Sequence, residues 1–185
     1  MRIVGGAFRG RRLTALGGGD AAAHLRPTAD RVREAVFNVL AGGALGDPLE
    51  DAVVLDLFAG TGGLGLEALS RGAKRVIFVD NGRKSLSILD QNIHLLDVAD
   101  RARVIRTTAL RLPPADTPAS LIFLDPPYGK ALGEKALAAA QVSGWIAPGA
   151  VIVWEEAAPQ EAPTGFTLHG HRRYGDVHVT LLLAD

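Results

Sequence analysis

The sequence predicts a single α/β domain built on a mostly parallel β-sheet, and three observations support this fold class. From residue 52 onward, short uninterrupted apolar segments alternate with helical segments, which is typical of parallel strands covered by helices on both faces. The chain has 185 residues, the size of one ordinary domain. It contains no internal repeat and no low-complexity linker.

Ahead of this alternating region, the sequence predicts a basic arm and one helix. Residues 2–16 alternate apolar and basic stretches around glycines, which indicates a small β-hairpin. A helix is expected to begin at Pro27 and Thr28 and to stop at Gly42. Its apolar residues fall at helical spacing: Val32, Val36, Phe37, Val39 and Leu40. We therefore expect an arm over residues 1–27 and the main domain over residues 28–185.

The main domain is expected to contain five parallel strands, three helices and a terminal hairpin. The strands are predicted at 53–57, 76–79, 104–105, 121–124 and 151–154, and the helices at 64–69, 86–96 and 131–142. Residues 166–183 alternate with a two-residue period around Tyr-Gly-Asp, which predicts a hairpin that adds an antiparallel edge.

Composition narrows the class of protein. The chain has no Cys, which excludes disulfides, thiolate metal sites and a Cys nucleophile. No apolar run approaches the roughly 18 residues of a membrane span, and no signal-peptide pattern opens the chain. We expect a soluble, cytoplasmic and monomeric protein without a metal.

The net charge is zero but unevenly distributed. Residues 1–40 carry seven Arg and three acidic residues, a balance of +4, which leaves −4 for the remainder. A basic arm on an acidic domain indicates contact with phosphates, although arginines can also simply solvate an exposed hairpin.

A glycine-rich segment follows the first predicted strand, from Asp56 to Gly65. Its glycines allow a tight turn and close approach of a ligand, and Asp80, 20 residues beyond Gly60, can accept hydrogen bonds from ribose hydroxyls. The spacing also fits a dinucleotide. Because Asp56 suits the ammonium of a methionine moiety and repels a pyrophosphate, it favours S-adenosylmethionine over a dinucleotide. A glycine turn without a ligand remains open.

The fourth strand ends in Asp125-Pro126-Pro127-Tyr128. Consecutive prolines remove two backbone donors and hold the chain extended, so acceptor oxygens surround a fixed point beside an aromatic ring. Asp125 and the Pro126 carbonyl can accept both hydrogens of an exocyclic amine and free its lone pair, while Tyr128 stacks on a flipped base. Taken alone, the tetrapeptide is also typical of a rigid turn with a surface Tyr.

Together these motifs resemble the amino-methyltransferase branch of the Rossmann-type, class I methyltransferases, and within it the RsmD family. The closer resemblance lies in Met1-Arg-Ile-Val-Gly-Gly, Arg9-Gly-Arg-Arg-Leu, Arg26-Pro-Thr-Ala-Asp-Arg-Val-Arg-Glu, Gly65-Leu-Glu-Ala-Leu-Ser-Arg-Gly-Ala and Tyr174-Gly-Asp. It covers essentially the whole chain. It implies a seven-stranded sheet with an antiparallel last strand, and methylation of guanine N2 at position 966 of 16S rRNA by S-adenosylmethionine in a small-subunit assembly particle.

The resemblance also implies the site residues. The amine site would be formed by Asp125, Pro126 and Tyr128. The cofactor site would comprise Asp56, Phe58, Gly60, Gly62, Asp80, Asn81, Thr108 and Ala109. RNA phosphate would contact Arg9, Arg11 and Arg12, with Arg26 and Arg31 at the mouth of the pocket. At Thr108 the chain departs from the family, which commonly has an acid there, so weaker cofactor binding is expected.

Other candidate residues are assigned elsewhere. Glu155 and Glu156, at the end of the fifth strand, are interpreted as solvated or ion-paired rather than catalytic. The three histidines of the terminal hairpin lack an acid at metal-binding spacing. Trp145 and Trp154 are expected in the core.

Three alternative functions remain. The same chemistry could act on adenine N6 or on a protein glutamine, although the chain has little room for a DNA-recognition domain and its basic arm argues against a protein substrate. A non-catalytic RNA-binding assembly factor is the second. The third, a nicotinamide-dependent oxidoreductase, leaves residues 125–128 unexplained.

Overall fold

The computed structural model describes residues 1–15 and 30–185. The helices are α1 (Asp30–Leu40), α2 (Gly63–Ser70), α3 (Arg83–Leu96) and α4 (Leu132–Val142). The strands are β1 (Val53–Leu57), β2 (Arg75–Asp80), β3 (Ala102–Arg106), β4 (Ala119–Leu124), β5 (Ile146–Glu156), β6 (Phe166–Tyr174) and β7 (Val177–Ala184). The strands form one sheet in the order β3-β2-β1-β4-β5-β7-β6.

The predicted mostly parallel sheet with an antiparallel last strand is confirmed. Strands β1 to β5 pair in parallel, and β7 pairs antiparallel with both β5 and β6. The terminal hairpin forms one edge of the sheet and pairs antiparallel, as predicted. Because β7 inserts between β5 and β6, the antiparallel strand is internal, and the edge strand β6 runs in the same direction as β5.

Two predicted boundaries fall outside the described residues: the helix start at Pro27 and Thr28, and the division of the chain at residues 27 and 28. The third and fifth strands are longer than predicted, at 102–106 and 146–156. Within residues 1–15 and 30–185, no helix is both long and apolar enough to span a bilayer.

Side chains alternate between the two faces of the sheet along each strand, so each strand contributes apolar residues to both faces. Helices cover both of these apolar faces. One face carries Val54, Phe78 and Phe123 and packs against α1, α2 and α3. The other carries Leu55, Leu57 and Trp154 and packs against α4. Trp145 and Trp154 are 0% and 4% exposed, so their predicted place in the core is confirmed.

The arm packs on the first of these faces. The Ile3 amide donates to the Arg11 carbonyl at 3.0 Å, and the Leu13 amide donates to the Met1 carbonyl at 3.1 Å. An antiparallel bridge joins Arg2 and Arg12. Since Ile3 and Leu13 are buried in the core, residues 1–15 are part of the packed structure rather than a free extension.

A buried carboxylate on α2 anchors the arm. Glu67 is fully buried and accepts hydrogen bonds from the Val4 and Gly5 amides, each at 2.8 Å. Arg71 donates to it at 2.8 Å, and the Nε of the fully buried Arg33 on α1 lies 3.5 Å from it. One side chain therefore joins the arm, α1 and α2.

We expect Glu67→Ala to destabilise the protein by about 3 kcal/mol, because it removes one of the two carboxylates beside the buried Arg33, leaving only Asp30, and takes the acceptor from the Val4 and Gly5 amides. The free energy of unfolding from urea denaturation measures this. Glu134→Ala, in the exposed first turn of α4, is the matched control and should change stability by less than about 0.5 kcal/mol. Equal effects of the two substitutions would contradict the anchoring role of Glu67.

Candidate functional site

Three carboxylates meet where β2, β1 and β4 end. Leu57, the last residue of β1, pairs with Val79 on one side and with Leu124 on the other. The residues that follow these positions are Phe58, Asp80 and Asp125, which therefore lie at one edge of the sheet. Asp56 precedes them on β1. The structure thus brings together the predicted cofactor and amine residues of these three strands.

The loop after β1 is tightly turned. Phe58, Gly60 and Gly62 have φ angles of 63°, 57° and 88°, in the left-handed region that side chains rarely adopt. The Ala59 amide donates to the Val79 carbonyl at 3.0 Å, and the Gly62 amide donates to the Ala59 carbonyl at 2.8 Å. These bonds fix the loop against the end of β2.

Asp80 is oriented by two backbone amides. Its Oδ2 accepts from Gly60 at 2.8 Å and its Oδ1 accepts from Gly82 at 2.7 Å. A carboxylate has about four acceptor positions, so each oxygen retains capacity for a ligand hydroxyl. Asn81 follows it and is exposed. Asp80 is therefore held in one orientation in which it can accept hydrogen bonds from a ligand.

Asp56 is 1% exposed, and its Oδ2 accepts from the Gly65 amide at 2.9 Å. Burial raises the pKa of Asp56 to about 8; the Gly65 hydrogen bond opposes this increase, and the negative charges of Asp125 and Asp80 add to it. A cationic ligand group would relieve this accumulation of negative charge, whereas an anionic group would be repelled.

Gly65 allows this arrangement because it has no side chain. A Cβ at this position would lie 2.3 Å from the Phe78 ring and 2.9 Å from the Asp56 carboxylate. Only glycine lets α2 approach β1 and β2 so closely without displacing one of these side chains.

The chain after β3 reaches the same edge, since β3 pairs in parallel with β2 and Arg106 lies opposite Asp80. Two residues later, the Thr108 hydroxyl oxygen accepts from the Leu110 amide at 3.3 Å. Ala109 is buried. Thr108 and Ala109, the two residues expected near the adenine, therefore follow β3, whose last residue lies beside Asp80.

The Asp-Pro-Pro-Tyr segment continues directly from β4. Asp125 and Tyr128 are half-buried and Pro126 is buried. Asp125 lies close enough to Asp56 for its charge to raise the Asp56 pKa. The segment is thus adjacent to the loop that follows β1, although Asp125 is 67 residues beyond Phe58 in sequence.

Arg9 and Arg11, on the arm, lie away from the glycine loop. The tip of the arm bonds to Ser70 at the end of α2: the Ala7 amide donates to the Ser70 carbonyl at 2.7 Å, and the Phe8 amide donates to its hydroxyl at 2.9 Å. An eight-residue helix is about 12 Å long, so this tip, with Arg9, lies about that far from the glycine loop. Arg11 donates to the Leu95 carbonyl near the end of α3.

The remaining predicted RNA contacts are distributed differently. Arg12 is exposed beside Arg2. Arg31 is exposed in the first turn of α1. Arg26 lies outside the described residues. The structure therefore does not gather the predicted arginines at one place.

One contributing residue was missed by the sequence reasoning. Asn92 on α3 is fully buried; it donates to the carbonyls of Thr14 and Thr61, each at 3.0 Å, and accepts from the Thr14 amide at 2.8 Å. It joins the base of the arm to the glycine loop. The sequence contained a signal for this role: Asn92 is a polar residue within the apolar stripe of α3, between Leu89 and Ile93, and a polar residue at such a position is buried and needs hydrogen-bond partners.

Two other expectations can now be compared with the structure. Glu155 and Glu156 are 1% and 7% exposed, so the first of the two roles expected for them, solvation, does not hold, and the structure leaves the second, ion pairing, open. In the hairpin, His171 Nδ1 lies 3.2 Å from the Thr180 hydroxyl. Among residues 1–15 and 30–185, no group of three or more His, Asp or Glu is arranged to hold a metal ion.

The raised pKa of Asp56 makes stability depend on pH. Between about pH 4 and pH 8 the unfolded chain releases this proton while the folded chain retains it, so the contribution of Asp56 to stability is lost as pH rises through this window. We expect Asp56→Asn to stabilise the protein relative to wild type by an amount that grows from pH 4 to pH 8, on the order of a few kcal/mol.

Urea denaturation at several pH values measures this difference. The exposed Gln91→Ala changes no titratable group and is the control, so its difference from wild type should be constant with pH. An Asp56→Asn difference that is equally constant would show that the carboxyl ionises normally in the folded protein.

Comparison with known proteins identifies the family. The model of the family described as conserved hypothetical protein 95 matches residues 1–183. Ribosomal RNA small subunit methyltransferase D of Escherichia coli is 38% identical over 181 residues, which cover 96% of this chain and 86% of that protein.

Solved structures agree with this relationship. A candidate methyltransferase from Escherichia coli superposes with a TM-score of 0.82 at 35% identity, covering 100% of this chain and 98% of the other. A candidate methylase from Haemophilus influenzae superposes with a TM-score of 0.78 at 32% identity, covering 99% and 97%. The chain therefore belongs to the conserved hypothetical protein 95 family, which confirms its resemblance to the RsmD proteins.

Proposed function

We propose that this protein transfers a methyl group from S-adenosylmethionine to the exocyclic N2 amine of a guanine in 16S rRNA of the small ribosomal subunit. The observation that carries the proposal is the position of Asp125-Pro126-Pro127-Tyr128 at the end of β4, directly beside the loop of β1 and close to Asp56 and Asp80. The name of its Escherichia coli relative, a ribosomal RNA small subunit methyltransferase, supports the same reaction and substrate.

The residues at the ends of β1, β2 and β3 suit S-adenosylmethionine. In this proposal Asp80 accepts the ribose hydroxyls, and the loop through Phe58, Gly60 and Gly62 supports the nucleoside. Asn81, Thr108 and Ala109 surround the adenine. The buried carboxylate of Asp56, whose pKa is raised by its surroundings, favours a ligand with an ammonium group over one with a pyrophosphate. S-adenosylmethionine supplies the electrophilic methyl group on a positively charged sulfur.

The acceptor side consists of residues 125–128. The Asp125 carboxylate and the Pro126 carbonyl accept the two hydrogens of the guanine amine, which localises the nitrogen lone pair toward the cofactor side. The prolines hold both acceptors in place, and Tyr128 stacks on the base once it has left its helix. Catalysis rests on orientation and electrostatics, without a metal ion.

The RNA partner explains the basic residues outside the pocket. Arg31, and Arg26 close to it in sequence, would contact phosphates at the mouth of the pocket. Arg9 and Arg11 are exposed on the arm, farther from the site, and would reach more distant parts of a large substrate such as a small-subunit assembly particle, while Arg12 is exposed at the base of the arm. We propose that a monomer acts on this particle in the cytoplasm, with residues 1–27 serving as the RNA-binding arm of the domain formed by residues 28–185.

The direct test is transfer of labelled methyl from S-adenosylmethionine to small subunits from a strain that lacks this methyltransferase, followed by nucleoside analysis. We expect N2-methylguanine from the wild type and at least about 100-fold slower transfer by Asp125→Asn, which keeps the shape of the side chain but presents an amide. Asp100→Asn is the exposed control and should react at the wild-type rate.

Other outcomes would replace the proposal. N6-methyladenine in place of N2-methylguanine would change the acceptor. Tight binding to the particle without transfer by the wild type would favour the assembly-factor function.

Substitutions of Tyr128 test stacking. We expect Tyr128→Ala to lower kcat/KM by roughly 10- to 100-fold, since stacking of a base on an aromatic ring contributes about 1–3 kcal/mol. Tyr128→Phe keeps the ring and should keep most of the activity. Steady-state kinetics with small subunits provide the measurement, and equal losses in the two variants would show that the hydroxyl matters rather than the ring.

A further inference from the structure

The order of the strands defines the side from which RNA approaches. In the proposed function, on which this inference rests, the cofactor occupies the ends of β1, β2 and β3. The nucleotides on one side of the flipped base can then pass over the other half of the sheet, along the ends of β4, β5, β7 and β6. Neighbouring strands are about 4.8 Å apart, so β6 lies about 14 Å from β4, a distance that two or three nucleotides can span.

The end of β6 carries two adjacent arginines at this edge. Since β6 runs in the same direction as β5, its last residues lie at the same end of the sheet as Asp125. Residues 119–185 contain four Lys and Arg, and two of them are Arg172 and Arg173. Both are exposed. Half of the formal positive charge in this part of the chain is therefore carried by two consecutive residues at the end of β6.

The two guanidinium groups have most of their donors available. Arg172 Nη1 donates to the His171 carbonyl at 2.8 Å, and Arg173 Nε donates to the Gly175 carbonyl at 3.0 Å. Neither forms an ion pair with any residue in 1–15 or 30–185. Because a guanidinium has five N–H donors, each can still bind a phosphate through two parallel hydrogen bonds.

The pairing of β6 with β7 fixes the directions in which these two arginine side chains leave the strand. Arg172 pairs with Val179 and Arg173 pairs with His178, so their side chains leave opposite faces of β6. Tyr174 follows them and packs against the core, and Gly175 makes the tight turn to β7 with a φ of 64°. The pair is thus fixed by the hairpin rather than carried on a loose loop.

Charged residues on an edge strand can protect it against aggregation, but this role does not explain the position of Arg172 and Arg173 on β6. Such protection places charges along the exposed edge. Here the stretch from Thr167 to His171 has no Lys, Arg, Asp or Glu, and Leu168 is 44% exposed. The charges stand only at the end of β6 that faces the acceptor side of the site.

We propose that Arg172 and Arg173 form a phosphate-binding surface that holds the RNA strand next to the target nucleotide. This surface lies at the same edge as Asp125, whereas Arg9 and Arg11 lie toward the opposite edge. It supplies affinity and register and does not read sequence. Arg172 and Arg173 are positioning residues for the substrate and take no part in the chemistry.

Binding of 16S rRNA and of small subunits to the double variant Arg172→Ala/Arg173→Ala tests the proposal. Each lost phosphate contact lowers the slope of log K against log salt by about 0.7–0.9, so we expect a slope smaller by about 1.5 and a Kd raised roughly 10- to 100-fold. The KM for RNA should rise with little change in kcat, and binding of S-adenosylmethionine should be unchanged. Arg172→Lys/Arg173→Lys keeps the charge and should keep most of the slope.

The matched control is Lys74→Ala/Arg103→Ala, which removes the same charge from exposed positions near the start of β2 and β3. A salt slope of the double variant equal to that of wild type, or an equal decrease in the control, would overturn the proposal. Thermal unfolding verifies that each variant is folded, and Arg172→Gln/Arg173→Gln, which removes the charge but keeps long polar side chains, provides the same test if the alanine variant is not.

The binding measurement is independent of catalysis. A wild type that transfers no methyl group, together with a reduced slope in the double variant, would overturn the proposed reaction and support this surface. Normal transfer with an unchanged slope would overturn this surface alone.

Discussion

Close contact between α2 and the strands β1 and β2 determines the geometry of the whole site. Gly65 permits it, since a Cβ there would overlap Phe78 and the Asp56 carboxylate. With the helix in this position, the Gly65 amide bonds to Asp56, and the preceding loop turns sharply enough for the Gly60 amide to reach Asp80. The far end of the same helix presents Glu67 and Ser70 to the arm. A single packed helix therefore aligns the ligand loop, the two acids beside it and the arm.

The second constraint is electrostatic. Asp56, Asp80 and Asp125 lie at the ends of adjacent strands, and burial, with a smaller contribution from the charges of Asp125 and Asp80, keeps the pKa of Asp56 far above that of a solvated carboxyl. Such an arrangement costs stability in the absence of a cation, and strained or repulsive groups of this kind concentrate at functional sites. It is consistent with a ligand that brings an ammonium and a sulfonium, and it disfavours a phosphate at the same place.

Positive charge is arranged around this negative centre without entering it. Arg172 and Arg173 lie at the end of β6, Arg9 lies near the far end of α2, and Arg11 lies near the far end of α3. An RNA substrate that meets all of them would contact two edges of the domain. Asn92 bonds to both the base of the arm and Thr61 in the loop, so the arm and the candidate cofactor site share a buried contact.

The sequence by itself determined the elements and the residues at their ends. Apolar runs located the five parallel strands, and local chemistry identified the glycine loop, Asp80 and Asp-Pro-Pro-Tyr, because strand periodicity and turn residues act over a few positions. These three features lie together because parallel strands all end at the same edge of a sheet, and the apolar runs had predicted parallel strands.

Only the tertiary structure decided the features that depend on contacts between distant residues. The insertion of β7 between β5 and β6 is set by pairing across the sheet, which a hairpin pattern does not specify. The burial of Glu155 and Glu156, the placement of Arg9 and Arg11 away from the site, and the raised pKa of Asp56 likewise arise from packing. Local sequence fixes the conformation of a segment, but burial and electrostatic environment are sums over neighbours that the folded chain brings together from far apart.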